Sequence, residues 1–537
     1  MTDETLGKLV AAGPSGGRIS VASLLGTQSI TLHELYERSG RVAHWLLEQG
    51  VRPGDRIGIL AANSLEWVLL DLAALRLKVQ TAGLEPGKFV PGAGLMRRYG
   101  IRLLFTDRST ETAESTDHLD PGESGGIVPM SEVAACSSRR DAGELSPLPP
   151  VTWAPKDVTT VKFTSGSTGE PKGLGATAGS IDSSLLAVQE IFEHGPGDDL
   201  FVFLPLSLLQ QRYWIYSALL YGHDVTVSTY EAAFAALRRV RPTVVMGVPA
   251  FYETAKRQIE ARVRRTGDSG DSGDSGESGG TGGTGADVLR QEARAVFGDR
   301  IRYLWTGSAP AAPAVLRFFT EAGLPIYEGY GLNETCIVTK NHPAAHREGS
   351  VGQVLRGKEV LIDEHGVVSV RSDHPVNDHY MYAKPGDSER VFGPDGTVRT
   401  GDLGHLDEDG FLFIRGRADD VIVLDNGKKV VVRPIEERMK ADPAIAECVL
   451  FCPGQTDLVA VVSPASPDID PKAVAACLDA INAAVTADER ISRAVVADPP
   501  FSIENGLLTS QYKPKRQQIL DAYRQAVHNP EEGIHAR

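Results

Sequence analysis

Short β-rich runs alternate with helical patterns through the first three quarters of the chain, and this alternation constrains the fold more than any other feature. The run Arg56–Leu60, for example, precedes the amphipathic segment Leu65–Leu77. Strands separated by helices pair in parallel and bury both faces of their sheet. The alternation predicts an α/β fold, with a large N-terminal part of several subdomains built on helix-covered, mostly parallel sheets. The predicted strands are Arg56–Leu60, Ile101–Thr106, Thr160–Phe163, Leu200–Leu204, Val225–Ser228, Thr243–Val248 and Ile301–Trp305.

The pattern changes after about Gly401. A hairpin-like segment at Gly410–Ile414 and a strand at Lys429–Val432 lead into a smaller set of helices and strands. A chain of 537 residues is long enough for several structural units of roughly 100 to 200 residues each. We therefore expect a separate, small α+β domain at the C-terminus.

Residues 266–285 contain only Gly, Ser, Thr, Asp and Glu, with a repeated Asp-Ser-Gly triplet. Such a segment has no apolar side chain to bury, so it predicts a flexible surface insertion. A regulatory tether is the alternative interpretation. The helical pattern Phe251–Arg265 is predicted to end where the insertion begins.

The charge balance excludes some partners. The chain has 55 Lys and Arg against 70 Asp and Glu, a formal net charge of −15. Broad electrostatic attraction to nucleic acid or to anionic lipid is therefore not expected. An anionic ligand must be held by a local site.

The cysteines and the apolar segments bear on localisation. Five scattered cysteines without a CxxC pair indicate reduced thiols and no zinc site. The start of the chain, Met1–Val10, lacks the basic and apolar regions of a signal peptide. The most apolar stretch, Leu200–Tyr221, is interrupted by Pro205 and by polar residues, which argues against a membrane span. We expect a cytoplasmic protein that is not integral to a membrane.

The clearest chemical motif is the decamer Thr164–Gly173, TSGSTGEPKG, which follows an apolar strand. Its glycines let backbone amides approach phosphate oxygens, its hydroxyls can donate hydrogen bonds, and Lys172 adds a positive charge. It is not the P-loop of kinases and GTPases, because no GxxxxGK[ST] string occurs. The decamer indicates either a polyphosphate loop or an ordinary Gly/Ser-rich turn.

The decamer resembles the phosphate loop of the adenylate-forming superfamily, which includes acyl-CoA synthetases, luciferases and peptide-synthetase adenylation domains. Five later motifs occur in the order of that family: Gly307–Pro310, Tyr327–Thr335, Arg399–Asp402, Gly416–Asp420, and Asn505–Thr509 with Lys513. Within the superfamily, the strings at Leu204–Ser207, Gly247–Pro249 and Asn426–Lys429 look most like the long-chain fatty-acyl-CoA ligase branch.

The resemblance implies a set of nucleotide-binding residues. Tyr330 would offer a flat face to the adenine, Asp402 would accept both ribose hydroxyls, and Arg417 would bind the ribose or the α-phosphate. A core aromatic and a hairpin aspartate are the alternative interpretations of Tyr330 and Asp402. The implied ATP-binding residues are Thr164, Ser165, Gly166, Ser167, Thr168, Gly169, Gly307, Ser308, Ala309, Tyr330, Gly331, Thr335, Asp402 and Arg417.

The resemblance also implies the catalytic residues Lys172, Glu334 and Lys513. Glu334 would hold Mg²⁺ against the triphosphate, since hard oxygen ligands suit magnesium. Lys513 would lie on a mobile C-terminal domain, residues 418–537, that rotates about a hinge at Asp419 relative to the N-terminal domain, residues 1–417. Taken alone, Lys513 with Lys515 would be a solvated basic patch.

The implied reaction is the attack of a fatty or aryl carboxylate on the α-phosphorus of ATP, followed by transfer of the acyl group to CoA. Three residues depart from the ligase pattern: Leu208 stands in place of His, Gln211 in place of Glu, and Asn333 in place of Thr. The first two lie in the region that gates the acyl tunnel and lines the approach of the thiol. The adenylation residues, by contrast, are all present.

Three functions remain open on the sequence. The first is a ligase that makes a CoA thioester from a small-molecule carboxylic acid. The second is an adenylating enzyme with a different acceptor, such as an ATP-dependent diazotase of secondary metabolism that uses nitrite and an aromatic amine. The third is a nucleotide-binding regulator without catalysis.

Overall fold

The structure is a computed structural model, and it describes residues 5–11, 16–108, 126–139, 146–165, 171–269, 285–426, 428–467, 469–509 and 512–536. The helices are α1 Thr5–Ala11, α2 Leu32–Glu48, α3 Leu65–Arg76, α4 Ala93–Tyr99, α5 Met130–Ser138, α6 Ala178–Phe192, α7 Leu209–Tyr221, α8 Ala233–Val240, α9 Pro249–Ser269, α10 Gly285–Phe297, α11 Pro313–Glu321, α12 Asp387–Val391, α13 Arg433–Lys440, α14 Pro471–Ala484 and α15 Arg516–His528.

The strands run through the whole chain and form five sheets among the described residues. They are β1 Arg18–Ala22, β2 Thr27–Thr31, β3 Arg56–Leu60, β4 Gln80–Gly83, β5 Leu103–Thr106, β6 Gly126–Pro129, β7 Val158–Ser165, β8 Pro171–Thr177, β9 Asp199–Val202, β10 Asp224–Ser228, β11 Val244–Gly247, β12 Tyr303–Thr306, β13 Ile326–Leu332, β14 Cys336–Lys340, β15 Gln353–Val354, β16 Lys358–Ile362, β17 Val367–Ser372, β18 Thr397–Leu406, β19 Leu412–Arg417, β20 Val421–Val423, β21 Lys429–Val431, β22 Ile445–Phe451, β23 Leu458–Pro464, β24 Ile491–Val496 and β25 Ile534–His535.

A six-stranded sheet in the order β6-β5-β3-β4-β7-β8 forms one half of the N-terminal part. Its strands pair in parallel except for β7 and β8, which form an antiparallel hairpin. The decamer lies at the end of this hairpin, where Ser165 pairs with Pro171 and Thr164 with Lys172. The predicted apolar strand before the decamer is thereby confirmed.

A nine-stranded sheet in the order β15-β14-β13-β12-β11-β9-β10-β1-β2 forms the other half. Its central strands β13, β12, β11, β9, β10 and β1 are parallel, as the alternation of strands and helices predicts. One apolar cluster packs helices α9, α10 and α11 against the sheet through Phe251, Phe297 and Phe319. The parallel arrangement brings the carboxyl ends of β9, β11, β12 and β13 to one edge of the sheet.

The remaining sheets are smaller and mostly antiparallel. Strands β16 to β19 form a meander in which Asp402 of β18 lies directly opposite Arg417 of β19. The predicted hairpin at Gly410–Ile414 is the turn and first half of β19, and the predicted strand at Lys429–Val432 is β21. Strands β22 to β25 form a further sheet, which packs with α13 and α14 around an apolar cluster of its own.

Helix α9 continues to Ser269, so the prediction that it ends at Arg265 is wrong by one turn. The extra turn is held by α10, since Arg262 Nε lies 2.5 Å from a Glu292 carboxylate oxygen and Thr266 Oγ1 lies 3.3 Å from the other. Most of the predicted insertion, residues 270–284, lies outside the described residues. Within the described part of the chain, no helix is both long and apolar enough to cross a bilayer.

Candidate active site

The predicted adenine-binding residues lie at the carboxyl ends of parallel strands. The loop at Gly307, Ser308 and Ala309 follows β12, and Tyr330 and Gly331 lie in the neighbouring strand β13. Ser308 has a φ of +70°, a left-handed conformation that is uncommon outside glycine and concentrates at functional sites. A Cβ added to Gly331 would overlap the Cys336 carbonyl oxygen, so only glycine lets β13 and β14 approach this closely.

Asp402, Tyr330 and Arg417 form a compact polar group beside this loop. The Tyr330 hydroxyl donates to one Asp402 carboxylate oxygen at 2.5 Å, and Arg417 Nη1 lies 3.3 Å from the other. Arg417 Nη1 also donates to the Thr400 carbonyl at 2.8 Å. Burial raises the pKa of Asp402, while the bonds from Tyr330 and Arg417 oppose that rise. The carboxylate is held in place by both contacts, and its oxygens retain lone pairs that could accept further hydrogen bonds.

Lys513 is brought to the same group from the C-terminal end of the chain. Its backbone is held by Thr509, whose hydroxyl accepts the Lys513 N–H at 3.1 Å. The neighbouring Tyr512 ring lies 5.4 Å, centroid to centroid, from Tyr230 of the N-terminal part. Burial, with the positive charges of Arg433 and Arg417 and against the negative charge of Asp402, lowers the pKa of Lys513 to about 8. Lys513 therefore lies near enough to Asp402 and Arg417 for their charges to act on it.

Lys172 and Glu334 form a second polar group. Lys172 Nζ lies 3.0 Å from an Asp387 carboxylate oxygen and 5.2 Å from the centre of the Tyr380 ring. The Tyr380 hydroxyl donates to Glu334 Oε1 at 2.7 Å. The hydrogen bond and charge of Lys172 lower the pKa of Asp387. Tyr380 thus stands between the predicted phosphate-binding lysine and the predicted magnesium ligand.

Sequence reasoning missed Tyr380 and Asp387. Neither belongs to one of the ordered motifs, and both lie between β17 and β18, in or beside the short helix α12. Their roles depend on tertiary contacts with Glu334 and Lys172. The only sequence signal for them was weak: an aromatic and an acidic residue occur in a segment without apolar periodicity, which is typical of a loop that can carry functional side chains.

Glu334 has the chemistry of a magnesium ligand. Among the residues that the structure describes, no cluster of three or more His, Cys, Asp or Glu side chains could hold a metal by itself. Magnesium bound with nucleotides takes one or two carboxylates together with phosphate oxygens and water. A single carboxylate at Glu334 beside a cationic side chain therefore fits a Mg²⁺ ion that arrives with ATP.

The predicted phosphate contacts have two different outcomes. The Thr335 hydroxyl is buried in the turn between β13 and β14, where it accepts the Leu332 N–H at 2.9 Å and lies 3.0 Å from the Cys336 carbonyl oxygen. A phosphate contact from Thr335 would have to replace that turn bond. Gly166, Ser167, Thr168 and Gly169 lie outside the described residues, as do the side chains of Thr164 and Ser165, so their phosphate contacts stay predictions.

A cleft that opens to solvent adjoins the predicted adenine-binding residues, and its empty space, including the open solvent at its mouth, is about 580 Å³. It lies between the first turns of α7 and the carboxyl ends of β11, β12 and β13. Gln211, one of the departures from the ligase pattern, lines this cleft, whereas Leu208 lies directly before α7. The remaining departure, Asn333, lies in the turn between β13 and β14. The lining includes Leu204, Gln210, Gln211, Trp214, Met246, Trp305, Thr306, Ser308 and Tyr330.

Comparison with known families finds two matches that together span most of the chain. The family described as AMP-binding enzyme matches residues 11–374, and the family described as AMP-binding enzyme C-terminal domain matches residues 419–530. Long-chain-fatty-acid–CoA ligase FadD15 of Mycobacterium bovis is 26% identical over an alignment that covers 94% of this chain and 92% of the relative.

Two solved structures with bound nucleotide share the fold. MatB of Rhodopseudomonas palustris with ATP has a TM-score of 0.75 at 21% identity, and covers 98% of this chain and 99% of its own. O-succinylbenzoate coenzyme A synthetase of Bacillus subtilis, in complex with ATP and magnesium ion, has a TM-score of 0.71 at 20% identity, covering 96% and 98% respectively. These likenesses confirm the predicted fold class.

Proposed function

The chain belongs to the AMP-binding enzyme family, and from this premise we propose that it activates a carboxylic acid with ATP and then transfers the acyl group to the thiol of CoA. Membership in the family confirms the adenylate-forming ligase activity that the ordered motifs predict. The observation that carries the proposal is the packing of Tyr512, the neighbour of Lys513, against Tyr230 of the N-terminal part. It holds the C-terminal lysine near the predicted ribose site, where Arg417 and Tyr330 fix Asp402.

ATP binding is supported by the shape and polarity of the two groups. Asp402 accepts the ribose hydroxyls, and Tyr330 lies beside the purine with its hydroxyl held by Asp402. Lys172 exchanges its Asp387 partner for phosphate oxygens, whose charge is higher than that of one carboxylate. Glu334 would hold Mg²⁺, which when bound would neutralise part of the triphosphate charge.

The first half-reaction joins two anions. A carboxylate oxygen of the acid attacks the α-phosphorus, the bond from that phosphorus to its bridging oxygen breaks, and pyrophosphate leaves with the released electron pair. The product is a mixed anhydride of the acid with AMP. Positive charge aimed at the α-phosphate is needed where negative charge develops, and Lys513 is the side chain that supplies it.

The second half-reaction needs access for a thiol. Asp419 lies between β19 and β20, and its carboxylate accepts Arg417 Nε at 2.9 Å. Rotation of residues 418–537 about this position withdraws Lys513 from the anhydride and opens a path to the acyl carbon. The match of a C-terminal domain family to residues 419–530 supports this boundary. The thiol gives up its proton to water, and its sulfur then bonds to the acyl carbon. The bond from that carbon to the AMP oxygen breaks, and AMP leaves with the electron pair.

Pyrophosphate release and thioester formation, measured separately, test the proposal. We expect ATP and a panel of acids to give pyrophosphate without CoA, and to give an acyl thioester and AMP only when CoA is added. Activity that requires nitrite and an aromatic amine would instead indicate a diazotase. ATP binding without turnover under any of these conditions would indicate a regulator.

A further inference from the structure

We propose that the acid is a compact aryl acid that carries a hydroxyl or amino group on its ring, and that Gln211, Trp214 and Thr306 select it. This inference rests on the proposed function, since it names the class of acid that the adenylating site accepts. It concerns the cleft beside Tyr330 and Gly307, which opens onto the predicted nucleotide site.

Two indole rings give the cleft an aromatic, largely apolar lining. Trp214 of α7 and Trp305 of β12 lie edge to face, with ring centroids 4.8 Å apart and planes at 81°. Trp305 is fixed from other sides, because the Lys340 Nζ lies 3.7 Å from its ring centre and the Phe192 ring stacks 5.8 Å away. Aromatic rings pair favourably by offset stacking or edge to face, so these indoles can pack against the ring of an aryl acid.

Three polar groups of the lining have no hydrogen-bond partner within the described part of the chain. They are the Gln211 carbonyl oxygen, the Trp214 Nε1–H and the Thr306 hydroxyl. Their residues are 7%, 2% and 1% exposed, so almost all of each side chain is shielded from water. Buried polar groups are normally paired, and three unpaired groups around one cleft indicate that a ligand supplies the partners.

The chemistry of the three groups defines what the ligand must offer. The Trp214 indole can only donate, the Thr306 hydroxyl can donate or accept, and the Gln211 carboxamide carries one acceptor and two donors. A ring hydroxyl or amine can both donate and accept, so it can pair with these groups. The methylene chain of a fatty acid would leave all of them unpaired, which is disfavoured in a buried site.

The inference predicts a specificity order for adenylation. We would measure kcat/KM for pyrophosphate release with ATP and Mg²⁺, using 3- and 4-hydroxy- and aminobenzoates and the corresponding cinnamates. Benzoate, cinnamate, octanoate and hexadecanoate are the matched acids without the ring substituent. We expect the substituted aryl acids to exceed their unsubstituted counterparts by about tenfold or more, the usual effect of a satisfied buried hydrogen bond. Hexadecanoate is expected to be the poorest substrate of the panel.

Paired variants identify the selecting groups. Thr306→Val removes the hydroxyl and keeps the shape, Thr306→Ser keeps the hydroxyl, and Gln211→Met removes the carboxamide at similar length. We expect Thr306→Val and Gln211→Met to lower the ratio of kcat/KM between substituted and unsubstituted acids by about tenfold each, whereas Thr306→Ser keeps the ratio. Because these groups lack partners among the residues that the structure describes, the melting temperature of the ligand-free variants should stay equal or rise.

The results separate failure of the inference from failure of the proposed function. A preference for octanoate or hexadecanoate, or an unchanged ratio in folded Thr306→Val and Gln211→Met variants, overturns the inference and leaves acid activation intact. A fall in melting temperature with no change of ratio shows a structural role and also overturns it. Pyrophosphate release that needs no acid, with ATP binding retained, contradicts the proposed function itself.

Discussion

Asp402 is the residue on which the proposed ribose contacts depend most. Its two carboxylate oxygens contact Tyr330 and Arg417, and it is 6% exposed. Replacing it with alanine removes the proposed contacts to both ribose hydroxyls and leaves the Tyr330 hydroxyl without this acceptor. We expect Asp402→Ala to weaken ATP binding by roughly 1.5 to 3 kcal/mol, the range for hydrogen bonds to a charged group.

Calorimetry of ATP binding measures this loss directly. Asp395, an exposed aspartate in the loop before β18, provides the matched control, and Asp395→Ala should bind ATP like the wild type. An ATP affinity that is unchanged in folded Asp402→Ala would show that the nucleotide binds elsewhere.

Lys513 predicts a pH dependence of the first half-reaction. Its pKa in the free enzyme is lowered to about 8 by burial and by Arg433 and Arg417, against Asp402. The charged ammonium is needed, so kcat/KM for pyrophosphate release should be highest below pH 8 and fall as the pH rises through about 8. Lys513→Arg, which stays charged, should shift this alkaline fall to higher pH. The same fall at the same pH in Lys513→Arg would assign it to another group.

The turn between β13 and β14 carries a prediction at the scale of the element. Gly331 cannot accept a Cβ because the Cys336 carbonyl oxygen occupies its place. Gly331→Ala should therefore push the two strands apart and lower the free energy of unfolding by about 1 to 3 kcal/mol, a typical effect of overpacking. Denaturant unfolding measures this change. Gly94→Ala in α4 is the control, since a Cβ there meets no atom within 4 Å.

The existence and order of the elements were predictable, but their ends were not. The strand Arg56–Leu60 agrees with β3 residue for residue, because an apolar run between polar residues marks a buried parallel strand. The predicted strand Thr160–Phe163 extends in the structure to Val158–Ser165. Its ends are set by antiparallel pairing with β8. The alternation of apolar residues within one short segment does not show how far its pairing with another strand extends.

The site residues that belong to sequence motifs were predictable. Those that depend on contacts between distant segments of the chain were not. Asp402 and Arg417 belong to motifs, and the hairpin register places them opposite each other. Tyr380 and Asp387 were missed because their importance comes from contacts with Glu334 and Lys172 in other elements. The three polar groups of the cleft without partners among the described residues could not be predicted either. Whether a side chain finds a hydrogen-bond partner depends on which residues surround it in the folded chain.

At the scale of the whole molecule, the proposed nucleotide site lies mainly in the N-terminal part, and the proposed movement is that of residues 418–537. The large sheets hold the cleft and the Gly307–Ala309 loop. Lys513 comes from beyond the predicted hinge at Asp419, and the charge of Asp402 acts on it. An activated anhydride must be made in one arrangement and consumed in another. We therefore expect Lys513 to serve the first half-reaction and to leave the site before the second.

Partition of the Lys513→Ala defect between the half-reactions tests this claim most directly. We expect pyrophosphate release to slow by a factor of about 10² to 10³, the usual effect of losing one preorganised electrostatic partner. The same variant, supplied with chemically made acyl-AMP and CoA, should form thioester at close to the wild-type rate. Equal losses in both half-reactions would contradict the account, because Lys513 would then be structural or the domain would not rotate. If neither half-reaction slows, Lys513 is not the catalytic lysine.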